Sequence, residues 1–423
     1  MISYNTRLLY LMKLLGDITM WYRVVMKTPV DGKLLNEAAQ EAMIRYPYLG
    51  KKIVIENGTY VYKENHAPVP VVEGTKNLPK YGSEEANEHL ILLNYDGRAI
   101  YFNMSHCLSA GRGFARWVCS VLYAYEKRIS GKEPDCPKIR RPDEPPEPGE
   151  DFLEPFSGLP ENAPAFKGFG PDINPIPPSK LEELIGAGVG DGLYVTLIKL
   201  DGKEVMSKVK ACGASPATYF GALYYKSFLS MMKEAPDCFN LATACDSSDE
   251  LGLSKTMSLI TRFLSFPITR AESGLSVGEL AAKGRALIKE QMDPSLMADI
   301  LRREEKVLVE MEALPTISEK AAYYAMNNAA VGLTPTTLVS YVGRIDLEGL
   351  DNVECWEEGG ATGKRGLVVL SPENRFHLIL HHTVSENDKT VASMVDELKR
   401  EGLAPEVVHT LPQNHIGLVF PEE

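Results

Sequence analysis

The chain has 423 residues, more than the roughly 250–300 at which a single hydrophobic core stops growing, so we expect two domains or subdomains. With 44% hydrophobic and 24% charged residues, its composition excludes the disordered, collagen-like and low-complexity classes. The formal net charge of -12 leaves no basic surplus, so neither nucleic acid nor an anionic membrane surface is an expected partner.

The cysteines and the first apolar stretch bear on the compartment. Seven cysteines without a Cys-x-x-Cys pair argue against a disulfide framework and a structural zinc site, and favour a reducing cytoplasm. The apolar stretch Leu8–Leu15 contains Lys13 and is followed by Asp17 and Arg23, so it is too short to span a membrane. We therefore expect an amphipathic helix there and a cytoplasmic protein without a bound metal.

The first part of the chain has the pattern of an α+β unit. Apolar residues at helical spacing predict a helix within Val30–Arg45. Asn57-Gly58 and Asp96-Gly97 each separate two short apolar runs, which is the pattern of a β-hairpin. The second hairpin leads through a histidine-containing segment to Gly111, after which an amphipathic helix is predicted up to Gly131.

Proline marks the division of the chain. Thirteen of the 28 prolines lie between Lys132 and Pro178, a density that excludes a helix or a central strand. We predict an N-terminal subdomain over residues 1–150, a proline-rich crossover linker over 151–178 and a C-terminal subdomain over 179–423.

The C-terminal part repeats the plan of the first. A strand over 193–200 is followed by two predicted helices, the second opening at Ser215-Pro216, and by a long helical stretch from about Val277 to Met311. A hairpin then leads into His381-His382 and a last helix. A shift of 276 residues places His106 on His382, which indicates two similar halves.

Three segments carry a family resemblance. Ser105–Gly111, between a strand and a helix, resembles the His-His-x-x-x-Asp-Gly motif of the chloramphenicol acetyltransferase-like superfamily, which includes alcohol acetyltransferases and peptide-synthetase condensation domains. Arg45–Leu49 resembles the "rhPyL" signature of the first subdomain in that superfamily. Ser340–Gly343 resembles the "S-N-x-G" segment of the second. The likeness spans nearly the whole chain.

The resemblance implies a fold, an activity and site residues. The fold is α/β, with two chloramphenicol acetyltransferase-like subdomains of mixed sheets and helices that form a V around a central tunnel. The activity is transfer of a short acyl group from acyl-CoA, most simply acetyl-CoA, to a small-molecule alcohol or amine, with His106 as general base. Gly111 would be the loop hinge and Ser340 an oxyanion helper. The coenzyme A thioester is a co-substrate, no cofactor is bound permanently, and a monomer is expected.

The chemistry of acyl transfer supports a histidine at this position independently of the family. A base with a pKa near neutrality must take the proton of the acceptor as it attacks the thioester, and histidine is the side chain suited to this at pH 7. Donors must also face the oxyanion that develops. A lone histidine at a strand end is otherwise most often a hydrogen-bonded structural residue.

The motif departs from the family at two positions. Ser105 stands at the first histidine and Ala110 at the aspartate, and the segment Ala244–Ser248 lacks the arginine with which that aspartate pairs. Because both partners are missing, no unpaired charge is left in the core. Two alternatives therefore stay open: a family member that binds a ligand or partner without catalysis, and a condensation enzyme that depends on a carrier protein.

Other motifs have simpler interpretations. His381-His382, with Glu386 in place of the motif aspartate, is interpreted as a structural loop of the second half. Gly274–Gly278 matches Gly-x-Ser-x-Gly, but Ser276 and Glu279 form a helix capping box. The basic clusters at 138–141, 302–306 and 364–365 could contact coenzyme A phosphates, although solvated surface is the default.

Overall fold

The computed structural model describes residues 2–157, 159, 173–187, 192–328, 333–359, 364–383, 388–413 and 415–422. The α-helices in chain order are α1 Arg7–Leu15, α2 Gly32–Arg45, α3 Gly111–Ser130, α4 Pro178–Ile185, α5 Gly202–Ala211, α6 Pro216–Leu229, α7 Val277–Gln291, α8 Pro294–Glu312, α9 Ile317–Asn328 and α10 Thr390–Arg400. The strands are β1 Thr19–Met26, β2 Lys51–Glu56, β3 Thr59–Glu64, β4 Val71–Glu73, β5 Ile91–Asp96, β6 Ala99–Ser105, β7 Leu193–Asp201, β8 Cys238–Asp246, β9 Thr261–Thr269, β10 Thr337–Ile345, β11 Val353–Gly359, β12 Gly366–Pro372, β13 Arg375–Thr383 and β14 Glu406–Pro412.

Most of these elements begin and end where local signals predict. The Asp31 carboxylate accepts from two backbone N–H groups in the first turn of α2, and Ser215 forms a capping box at the start of α6. Gly131 ends α3 with a φ of 69°, a left-handed conformation that favours glycine. Both Asn-Gly and Asp-Gly turns lie between antiparallel strands, β2–β3 and β5–β6. These boundaries follow from backbone capping and turn chemistry alone.

The helical stretch expected from about Val277 to Met311 is helical in the structure, but it is divided between two helices, α7 and α8. The break falls at Asp293, whose carboxylate accepts from the backbone N–H of Ser295 at 2.8 Å, and at Pro294, the first residue of α8. Proline has no N–H and its ring clashes with the preceding turn, so a helix can begin at Pro294 but cannot continue through it.

A sheet with strand order β11-β1-β6-β5-β4 forms the centre of the first half. β1 is antiparallel to β6 on one side and to β11 on the other, with Val24 opposite Trp356. β11 is far along the sequence, beyond the proline-rich segment. The first sheet is therefore completed by a strand from the second part of the chain.

The second half is built on a larger mixed sheet with strand order β14-β7-β13-β12-β10-β8-β9. β10 runs parallel to both β8 and β12, while the neighbouring pairs β12–β13 and β8–β9 are antiparallel. Helices accompany both sheets, so the α/β class expected from the sequence is confirmed. Among the described residues no helix is long and apolar enough to cross a bilayer.

The larger hydrophobic core crosses the predicted boundary. It joins α1 to α8 and α9, for example through the fully buried side chains of Leu9, Met297 and Tyr324. It also includes Trp356 of β11. The predicted subdomain boundaries, at residues 150 and 179, stay predictions. Three elements that follow residue 179 in the sequence, β11, α8 and α9, pack on the N-terminal part of the chain.

Candidate active site

The backbone of His106 is held at the end of a central strand. β6 ends at Ser105 and lies between β1 and β5. The backbone N–H of His106 donates to the carbonyl of Ile18 at 2.8 Å, so the pairing with the neighbouring chain extends to the histidine. α3 then begins at Gly111. The order of hairpin, histidine and helix predicted from the sequence is the order in the structure.

The imidazole of His106 is half-buried, and its Nδ1 lies 3.0 Å from the backbone carbonyl oxygen of Ser109. Because a carbonyl oxygen can only accept, Nδ1 carries the proton of the neutral ring and donates it to this bond. Within the described residues, the hydrogen bond of the His106 ring is made by Nδ1, and Nε2 keeps its lone pair available. This is the tautomer that a general base requires.

The surroundings of His106 favour the neutral ring. Burial lowers the pKa of His106 below its ordinary value of 6.5, and the nearby positive charge of Arg7 lowers it further. The hydrogen bond to Ser109 acts in the opposite direction without reversing the shift. At neutral pH the ring is therefore unprotonated and able to accept a proton.

The neighbours of His106 in sequence are poorly suited to proton transfer near neutral pH. Burial raises the pKa of Cys107 to about 12, so its thiol stays protonated and is a poor nucleophile. Ser105 donates its hydroxyl to Asp17 at 2.5 Å. Burial raises the pKa of Asp17, although hydrogen bonds from Ser105 and Thr19 oppose this. His106 is thus the residue of this segment suited to a base.

The first turns of α3 bind a segment of the second half. Both terminal nitrogens of Arg112 lie 3.1 Å from the carboxylate oxygens of Asp249, and one lies 3.5 Å from Asp246. Arg116 donates to the backbone carbonyls of Ser254 and Lys255, each at 2.9 Å. These contacts fix the start of α3 against the chain that follows β8.

The charged contact bears on the departure at Ala110. Ala110 stands before the first turn of α3 and makes no side-chain cap. Two positions later, Arg112 carries a positive charge, whereas the aspartate of the family motif would be negative. Asp246 carries a negative charge in the segment where the resemblance leads us to expect a positive arginine, and it lies 3.5 Å from Arg112. An ion pair therefore joins the two segments with its polarity reversed.

The other two predicted site residues lie in ordered elements. Gly111 is the first residue of α3, and its carbonyl accepts from the Tyr22 hydroxyl at 2.7 Å. Ser340 is part-buried in β10, paired with Ala244 of β8 and Val368 of β12. Across the described ranges no hydrogen bond joins Ser340 to the His106 segment. The hinge role of Gly111 and the oxyanion role of Ser340 stay predictions.

The double histidine of the second half is buried at the end of β13. His382 lies 2.8 Å through Nε2 from the hydroxyl of Thr196 and 3.1 Å through Nδ1 from the carbonyl of Thr383. Burial lowers the pKa of His381 to about 4. Glu386 lies outside the described residues. Both nitrogens of His382 are already hydrogen bonded, as in a structural histidine, and this favours His106 as the base.

The basic clusters contact acidic side chains of the protein itself. Arg365 is buried and bonds to Glu182 and Asp388, while Lys138 lies 2.5 Å from Asp346. Because these side chains are already paired with carboxylates, surface and structural roles suit them better than binding of coenzyme A phosphates. In the part of the chain that the structure describes, no group of three or more His, Cys, Asp or Glu residues could hold a metal ion. Ser276 caps α7 as expected.

A surface groove of about 680 Å³ lies at the proline-rich segment of the first half. Its lining includes Tyr48, His66 and Glu147, and His106 is not among the lining residues. The groove is therefore separate from the candidate base. The central tunnel at His106 stays a prediction.

Three residues near His106 were given no role by the sequence analysis. Ser109 donates its hydroxyl to the backbone carbonyl of Met257 at 2.8 Å, and Gly113 packs against both. A second glycine two positions after Gly111 inside a predicted helix is a signal of close packing. Met257 carries no comparable signal, because its contact is made through the backbone.

Comparisons with known proteins give a fold. No family profile matches the sequence, and no curated protein matches it. Among solved structures, TRI3 trichothecene 15-O-acetyltransferase from Fusarium sporotrichioides has a TM-score of 0.58 at 14% identity, covering 94% of each chain. TRI101 from F. sporotrichioides, complexed with coenzyme A and T-2, has a TM-score of 0.56 at 12% identity, covering 93% of this chain and 96% of that one. The condensation domain of the Monacolin K polyketide synthase MokA has a TM-score of 0.56 at 10% identity, covering 93% and 94%.

These likenesses extend over nearly the whole of each chain, and identities of 10–14% show a shared fold rather than a shared activity. The chain therefore has the fold that these acetyltransferase and condensation-domain structures share.

Proposed function

We propose that the protein is an acyltransferase that moves a short acyl group, most simply acetyl, from a coenzyme A thioester to the hydroxyl or amine of a small molecule. One observation carries the proposal: Nδ1 of His106 donates to the Ser109 carbonyl, which leaves a neutral ring with Nε2 as the basic atom. The fold supports it, because TRI101 was solved with coenzyme A and TRI3 is named an O-acetyltransferase.

In this proposal the acceptor gives its proton to Nε2 of His106 while its oxygen or nitrogen forms a bond to the thioester carbonyl carbon. The tetrahedral intermediate then collapses and the C–S bond breaks. The thiolate of coenzyme A leaves with the electron pair and receives the proton from His106. Ser340 is proposed to donate a hydrogen bond to the oxyanion, and Gly111 to let the backbone approach the substrate.

Two other functions are favoured by particular observations. Ser105 and Ala110 replace two motif residues, which suits a protein that binds a ligand or partner without turnover. The likeness to a condensation domain suits a carrier-dependent enzyme that joins tethered substrates.

Release of free thiol from acetyl-CoA with mixed alcohols or amines tests the proposal. We expect His106→Gln to lower the rate by about 10²–10⁴-fold, the usual contribution of a general base. His66→Gln is the matched control, because His66 is exposed and its ring lies 3.4 Å from the Glu64 carboxylate, its one polar contact within the described ranges. Equal thiol release by wild type and His106→Gln would contradict the assignment. Saturable coenzyme A binding without release would favour the binding protein, and release only with a carrier-bound thioester would favour the condensation enzyme.

A further inference from the structure

The orientation of the His106 ring depends on one carbonyl group, that of Ser109, 3.0 Å from Nδ1. The side chain of Ser109 is fully buried and donates to the carbonyl of Met257 at 2.8 Å. Met257 follows β8 and so belongs to the second half. The residue that orients the ring is thus itself fixed across the contact between the two halves.

Met257 is held in turn by the start of the proline-rich segment. Its backbone N–H donates to the carbonyl of Glu150 at 2.9 Å. On either side, Thr256 donates to the carbonyl of Asp151 at 2.6 Å and Ser258 to that of Leu153 at 2.8 Å. The position of the Met257 carbonyl is therefore set by a ladder of bonds to the 150–153 segment.

The same contact requires a glycine at position 113. A Cβ atom there would lie 2.6 Å from Oγ of Ser109 and 3.2 Å from the sulfur of Met257. A separation of 2.6 Å is well inside van der Waals contact, so either α3 or the Ser109 hydroxyl would have to move. Only glycine lets α3, Ser109 and Met257 meet at this distance.

We propose that Ser109 and Gly113 are positioning residues that seat the His106 segment on Met257 and hold the ring with Nε2 available. The proposal rests on His106 as the base of the proposed acyl transfer. It makes the contact between the two halves a condition for activity, because the ring is oriented by a residue bound to the second half.

Titration of His106 by NMR in Ser109→Ala tests the proposal without any assumption about activity. The His106 signal among the eight histidines is identified by its loss in His106→Gln. In Ser109→Ala we expect the His106 titration to move upward toward about 6.5, because the loosened segment admits water to the ring. We also expect kcat to fall about tenfold with little change in KM, as for a misplaced catalytic group.

Ser120→Ala is the matched control. Ser120 is a buried serine within α3 that, like Ser109, donates to a backbone carbonyl, that of Arg140. It removes a similar bond without touching the His106 segment. A comparable loss of melting temperature in Ser109→Ala and Ser120→Ala, with the His106 titration moved only in the first, would separate positioning from general stability.

Gly113→Ala provides a second variant with an internal rescue. We expect it to lower kcat and move the His106 titration as Ser109→Ala does, whereas Gly221→Ala in α6, where a Cβ meets nothing closer than 3.5 Å, leaves both unchanged. In Ser109→Ala/Gly113→Ala the clash with Oγ of Ser109 is removed and the 3.2 Å contact with the sulfur of Met257 remains. Melting temperature should therefore recover part of the way above that of Gly113→Ala, while the titration stays shifted.

The outcomes distinguish this proposal from the proposed function. An unmoved His106 titration and an unchanged kcat in Ser109→Ala would overturn the positioning role. A moved titration in Ser109→Ala and Gly113→Ala, in a protein that releases no thiol from acetyl-CoA, would support positioning and reject the acyltransferase.

Discussion

At the scale of single residues, the environment of His106 determines what its ring can do. Nδ1 is engaged by a carbonyl, and Nε2 keeps a lone pair. Burial and the charge of Arg7 disfavour the imidazolium, so the pKa of His106 lies below 6.5. The adjacent thiol of Cys107 stays protonated because burial raises its pKa to about 12.

This environment predicts the pH dependence of activity. The proposed base, His106, would act in its neutral form, so the rate should fall as pH decreases through the pKa of His106 and be fully developed above it. Because that pKa is lowered from 6.5, the acid limb of kcat/KM should lie below pH 6.5. Measuring kcat/KM between pH 4.5 and 8 tests this. In the control variant Ser120→Ala the acid limb should keep its wild-type position. An acid limb at or above pH 7 would contradict the prediction.

At the scale of elements, a buried ion pair attaches the proline-rich segment to α2. Both terminal nitrogens of Arg45 bind the Glu150 carboxylate, at 2.5 and 2.6 Å, and Tyr48 and the backbone N–H of Glu147 bond to the same group. Arg45 is fully buried. The pair therefore places residues 150–153 where they can hold Met257.

Removing one partner of this pair should be costly. We expect Glu150→Ala to lower the free energy of unfolding by about 3–5 kcal/mol, because it leaves a buried guanidinium unpaired, and Arg45→Met/Glu150→Leu to recover most of the loss. Urea denaturation measures both. The control is Glu56→Ala, whose partner Lys63 is half-exposed, so that the pair contributes at most about 1 kcal/mol. A Glu150→Ala loss as small as that of the control would show that water reaches Arg45.

At the scale of the whole molecule, β11 joins the two halves. Trp356 of β11 is fully buried, with its ring centroid 5.2 Å from that of Tyr22 in β1. Its carbonyl accepts from Nδ1 of His377 in β13 at 2.8 Å. One residue thus contacts the sheets of both halves, and the two should unfold together.

Substitution of Trp356 tests this cooperativity. Trp356→Ala should lower the free energy of unfolding by about 3–5 kcal/mol through the cavity it leaves. Calorimetry should show a single transition that shifts as a whole. Phe263→Ala is the control, because Phe263 is 56% exposed and should change stability by less than about 0.5 kcal/mol. Two transitions, of which only one shifts, would show that the halves unfold independently.

The sequence by itself determined the local elements and the candidate base. Turns, helix caps and apolar periodicity depend on residues close in the chain, so they could be predicted. Among them are the turns at Asn57-Gly58 and Asp96-Gly97, the caps at Ser215 and Ser276, and the place of His106 between a strand and a helix. The break at Asp293 within the helical stretch was not predicted, since the apolar periodicity continues through a proline that begins a new helix.

The tertiary structure decided which distant residues meet. The addition of β11 to the first sheet, the bond from Ser109 to Met257 and the ion pair of Arg112 with Asp249 join residues more than a hundred positions apart. Two of these contacts use backbone atoms, which every residue possesses, so no residue type in the sequence marks them. The candidate base could be proposed from local pattern, whereas the contacts that orient its ring exist only once the two halves have packed together.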